Sequence, residues 1–146
     1  MNSTRIIHKD NSVLRDYSVS LANYLSGTQV IAYVAAEDAL YIGSDLPFNH
    51  RWVEVSVVSA TTSTLSVSLW NGSAWEAAVD VVDETSVAGV ALARSGFVSW
   101  VPDRLKTWSF EDTTERVSDL STLKIYDKYW AKLSYSADLT GTTALK

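Results

Sequence analysis

The 146-residue chain has no cysteine, two histidines, two prolines and six glycines, and its single methionine is residue 1. Without cysteine there is neither a disulfide framework nor a thiolate metal site. No apolar run approaches the roughly 20 residues that a membrane-crossing helix requires. The opening stretch MNSTRIIHKD lacks the long apolar core of a secretory signal, so the expectation is a chain made in a cytoplasm. Lysine and arginine are scattered, not clustered, and the formal net charge is -5. Nothing in that distribution neutralises several phosphates together, so nucleic acid is a poor partner.

What is present points to strands. Apolar residues make up 47% and charged residues 20%, which argues against disorder. Serine, threonine and valine are abundant, and there are six tryptophans and seven tyrosines. β-Branched and aromatic side chains suit a pleated, half-buried surface. The length corresponds to about one domain with a real core.

Residues 1–12 read as a polar N-terminal arm, relieved only by Ile6 and Ile7, and residues 13–146 as a single domain. Residues 13–25 fit two periods: Val13, Tyr17, Leu21 and Tyr24 are spaced as on a helix, while Tyr17, Val19 and Leu21 alternate as in a strand. The strand is preferred. QVIAYVAA (29–36) and ALYIGS (39–44) are the next strands, with Glu37 and Asp38 in the connecting turn. Pro47 then interrupts the ladder. RWVEVSVVSA (51–60) sets Val53, Val55 and Val57 on one face and Trp52, Glu54 and Ser56 on the other.

Leu65, Val67 and Leu69 alternate into Asn71-Gly72, a strong hairpin signal, and a four-residue NGSA loop is a second possibility. Either turn sets Trp70 against Trp75. FVSWVP (97–102) and YWAKLSYSAD (129–138) are further strands, and residues 109–123 form a polar surface excursion with a short helical turn at ERVSDL. Seven or eight short strands and no long helix predict an all-β protein, an antiparallel β-sandwich of jelly-roll-like form.

Catalytic patterns are thin. His8 and His50 belong to no HExxH pattern, and no G-x-S-x-G nucleophile elbow occurs. Glu54 and Glu76 fall on strands expected to be adjacent, where a glycosidase-like carboxylate pair would have to form. A solvated outer face accounts for them equally. DVVDET (80–85) clusters oxygens but lacks the spacing of a calcium loop, and a turn closed by Asp and Thr side chains explains it better. The reading is therefore a non-enzymatic protein with no catalytic residue, cofactor or metal. The aromatic residues are the binding candidates, either stacked on sugar rings or serving core and assembly contacts.

Four segments, in order, carry a resemblance: LYIGSDLPFNHRWVEVS, LWNGSAWEAAVDVVDET, SGFVSWVP with a later Trp108, and YWAKLSYSADL. Their succession over residues 36–140 resembles a β-sandwich module of tailed-bacteriophage virion proteins of the neck, tail and baseplate region. Leu69 stands where that module usually has an aromatic residue. The resemblance implies a structural protein of the virion, made in the host cytoplasm. It would assemble into a homo-oligomeric ring and touch neighbouring virion proteins. The candidate assembly or ligand contacts are Trp70, Trp75, Trp108, Ile6, Ile7 and Phe110. The alternative is a carbohydrate-binding or receptor-recognition module.

Overall fold

The computed structural model describes residues 4–22, 27–102, 118–123 and 128–146. Among the described residues twelve strands make up most of the regular structure. Strand β1 (Arg5–Asp10) turns at Asn11 into β2 (Val13–Asp16), and Asn11 takes a positive φ of 56°. Asparagine tolerates that left-handed region better than most side chains. A short α-helix, α1 (Ser18–Ala22), follows, and the Asp16 carboxylate accepts the Ser18 N–H at its start. Then come β3 (Gln29–Val30), β4 (Ala39–Ser44), β5 (His50–Val53), β6 (Val55–Val57) and β7 (Leu65–Trp70). The remainder are β8 (Trp75–Ala77), β9 (Val82–Asp83), β10 (Gly96–Ser99), a 3-10 helix (Ser118–Leu123), β11 (Tyr129–Tyr135) and β12 (Ala144–Leu145).

The strands form three antiparallel sheets. A six-stranded sheet runs β2-β1-β4-β11-β7-β8, and two three-stranded sheets run β5-β10-β9 and β3-β12-β6. The expected antiparallel sandwich is what forms, with its second layer divided between the two small sheets. Alternation assigns the faces. Leu40, Leu133, Val67 and Leu65 of the large sheet pack with Val98 of β10 and with Ile31, Tyr33 and Leu139 in one buried cluster. Ile7, Tyr41, Trp130 and Trp70 point the other way and form a second cluster with Leu120 of the 3-10 helix. The large sheet is thus covered on both faces along its middle. That explains why ALYIGS shows almost no polar alternation: five of its six residues are buried.

Three sequence expectations change here. Residues 1–12 were set apart as an arm, yet residues 5–10 are the second strand of the large sheet, and Ile7 is fully buried opposite Tyr41. Ile6 and Ile7 stand between Arg5 and the polar run His8-Lys9-Asp10, which hid the role of Ile7. The strand preferred for residues 13–25 forms only at Val13–Asp16; Ser18–Ala22, within the alternation of Tyr17, Val19 and Leu21, is a helix, with Tyr17 and Leu21 in the core and Val19 exposed, and residues 23–25 lie outside the described residues. The run 51–60 is not one strand. It breaks at Glu54, so that β5 joins one small sheet and β6 the other, and Val57 is exposed.

Two local devices hold the second layer and the sheet in place. Thr85, fully buried, donates its hydroxyl to Asp83 Oδ1 and accepts the Leu92 N–H at 3.1 Å, which secures Leu92 at a positive φ of 55°. DVVDET accordingly holds strand β9 and, at Asp83–Thr85, a turn closed by its own side chains. Gly43 lies under the Trp130 ring, its cross-strand partner; a Cβ there would stand 2.7 Å from the indole.

Candidate functional site

The β7–β8 hairpin uses the four-residue turn. Asn71 N–H donates to the Ala74 carbonyl at 3.0 Å, and Asn71 Oδ1 accepts the amides of Ser73 and Ala74, while Gly72 takes a φ of 101°. Trp70 and Trp75 pair directly across it, with ring centroids 5.3 Å apart and nearly edge-to-face. Such a pair adds about 0.5–1.5 kcal/mol beyond its area. Trp70 is buried, and Trp75 is half-buried against Tyr41.

Lys132 from β11 extends over the rings of Tyr41 and Trp75, 6.0 and 5.7 Å from their centroids. The Tyr41 hydroxyl donates to Asp119 Oδ2 at 2.8 Å, and burial together with that carboxylate pushes the phenol well above its ordinary range. Ile7 and Trp70 therefore lie in one buried apolar cluster, and Trp75 packs half-buried against it. Ile6 packs instead against the inner core. Trp108 and Phe110 lie outside the described residues.

Between the hairpin and the second layer is a cleft of about 330 Å³. Phe48, Leu69 and Trp100 line it, with Asn49, Asn71 and Glu76 as its polar groups. The Arg51 guanidinium sits 3.8 Å over the Phe48 ring, and burial lowers its affinity for the proton. Glu76 accepts from Asn71 Nδ2 at 2.8 Å. Glu54 accepts the Trp52 indole N–H at 2.8 Å and follows β5 in a different sheet. The two carboxylates expected on adjacent strands are thus apart: Glu76 is on β8 of the large sheet, and Glu54 lies between β5 and β6 of the two small ones. Among the described residues no group of His, Cys, Asp and Glu is placed to hold a metal ion.

Two features were not anticipated. The first is a buried polar chain. His8 Nε2 lies 3.2 Å from Asp38 Oδ2, and His8 Nδ1 lies 3.3 Å from the Tyr17 hydroxyl. Asp38 also accepts the backbone amides of Asn11 and Val34, each at 2.8 Å. An ionised, acceptor-only carboxylate makes Nε2 the donor, and in the neutral imidazole the Tyr17 hydroxyl then donates to Nδ1. Tyr33 stacks on the imidazole with an interplanar angle of 14°. All three side chains are buried, so the chain ties β1, α1 and the turn before β4 together and presents no reacting atom to solvent. The 30-residue separation of His8 from Asp38 left no local sequence signal.

The second is an exposed aromatic face on β5-β10-β9. Trp52 pairs directly with Phe97, ring centroids 5.0 Å apart at 74°. They are 53% and 41% exposed, and Val82 beside them is 53% exposed. Val98 and Val53, their alternating neighbours, point into the core. Strand alternation alone separates the two sets, but the sequence does not say which face of a small sheet remains open.

No family model matches the chain, and neither a curated protein nor a solved structure matches it.

Proposed function

We propose that this chain is a non-enzymatic structural protein of a bacteriophage virion, of the neck, collar, tail or baseplate, acting by self-association and contact with neighbouring virion proteins. The observation that carries this reading is the Trp52–Phe97–Val82 face. It is an exposed aromatic surface on a sheet whose other side is core. Large exposed aromatics of this kind are the residues that anchor protein interfaces. The phage-module resemblance adds support, because its segments supply β4, the β7–β8 hairpin, β10 and β11, which frame the sandwich. Motifs of that sort mark a scaffold and leave the surfaces to differ.

A second reading, carbohydrate recognition, is favoured by the cleft beneath the hairpin, where aromatic rings adjoin Asn49, Asn71 and Glu76. The outer aromatic face suits sugar less well. Sugar platforms present coplanar rings, and Trp52 and Phe97 stand at 74° to one another.

Light scattering over a concentration series, paired with a glycan-array screen, separates the two. Concentration-dependent oligomers without glycan capture are the expected result. A strict monomer that captures glycans overturns the structural reading in favour of the second.

A further inference from the structure

The two outer faces of the sandwich carry complementary groups. On the large sheet, Lys9 of β1 pairs with Ala39 and Lys132 of β11 pairs with Tyr41, so the two lysines flank β4 diagonally on its outward side. They line a cleft of about 440 Å³ with Asn11, Tyr41, Ser134 and two acidic residues, Glu37 and Asp38; the Asp38 carboxylate is buried against His8, which leaves two lysines to one exposed carboxylate. Among the described residues neither lysine forms an ion pair; the basic groups that do are Arg5, His8, Arg15 and Lys128. On the opposite side of the molecule, Trp52 projects beside Phe97. The Glu54 carboxylate is fixed to its indole N–H, and Glu84 accepts the Phe97 amide at 3.2 Å. Neither carboxylate has a cationic partner among the described residues.

We infer that a second copy of this chain docks head to tail on the first, with Trp52 of one protomer seated in the Lys9–Lys132 cleft of the next. A half-exposed indole meets an open cleft of about 440 Å³. The charges match. Seating Trp52 carries Glu54 to the two lysines, and an ammonium next to an indole face is attractive in its own right. Lysine stems lie along apolar surface and extend their ends towards a partner.

The aromatic face and the lysine cleft are different surfaces of the molecule, so the contact joins unlike patches and not one patch to its own copy. A contact joining different faces of the same molecule closes into a ring when the rotation permits. This inference rests on the assembly reading above and specifies its contact surface.

The test is sedimentation velocity on the full chain over a concentration series at low and high salt, with Lys132→Glu, Glu54→Lys and Trp52→Ala. Circular dichroism melts first establish that each variant is folded; Glu54 and Trp52 lie outside the core, which protects two of the three from a folding failure. Wild type is expected to self-associate, less so at high salt. Each variant should associate about tenfold or more weakly. An equimolar mixture of Lys132→Glu and Glu54→Lys should regain association, since each supplies the face the other lacks. Oligomers that persist unchanged in both charge reversals overturn the inference and leave the assembly reading standing. A wild-type chain that stays monomeric at every concentration overturns both.

Discussion

Gly43 and Asp38 show how much of this fold rests on single atoms. The Trp130 indole occupies the place of a Cβ at residue 43, 2.7 Å away, inside a fully buried cluster. Gly43→Ala should therefore cost about 1–3 kcal/mol, the range for overpacking, seen as a lower urea midpoint with an unchanged slope. Asp38 has a different role. It accepts from His8 and from two backbone amides in a region closed to water. Asp38→Ala leaves all three donors unsatisfied and should cost roughly 3–5 kcal/mol, as for a broken buried pair. Asp38→Asn retains one acceptor oxygen and should lose less; equal losses would show that the carboxylate is not the organising group. Neither residue was legible beforehand. A glycine after Ile42 has no visible reason until Trp130 is placed over it, and Asp38 in the sequence is simply an acidic turn residue.

Elements were legible where a segment's own pattern determines its state. ALYIGS coincides with β4, and the run ending at Trp70 coincides with β7, because β-branched and aromatic density, a following turn residue and length all agree. Legibility ended where the partner decides. The run through Glu54 has unbroken alternation, yet two different sheets claim its halves. Residues 5–10 look too polar for a central strand, but β1 is covered by β2 on one side and β4 on the other, and its polar side chains find specific partners. The exposed aromatic face shares this origin, since alternation cannot say which side of a three-stranded sheet is core. Removal of residues 1–12 tests β1 directly. It deletes Ile7, His8 and the whole of β4's pairing on that side, and the product should lack a cooperative thermal transition by circular dichroism. A truncated chain that melts like the full one would make β1 dispensable.

At the scale of the molecule, four buried phenols couple stability to alkaline pH. Burial is the leading cause that raises Tyr17, Tyr33, Tyr41 and Tyr135 above the ordinary tyrosine value. The neutral phenol is thus favoured in the folded state. The corresponding stability is complete below about pH 10 and is lost as pH rises beyond it, by up to about 1.4 kcal/mol per pH unit for each phenol. Denaturant midpoints should be flat up to that point and fall steeply above it. Phenolate absorbance should show these tyrosines ionising together with unfolding; ionisation well before any loss of ellipticity would show that they are accessible. The position of β11 has a consequence for synthesis. This strand lies between β4 and β7, but it is made some 60 residues after β7 begins and 90 after β4. Until residues 129–135 leave the ribosome, two apolar strands wait with bare edges towards each other, the condition in which nascent chains stick to one another. A chain stalled before β11 should accordingly be a substrate for chaperones, and completion of that one strand is the event that releases it.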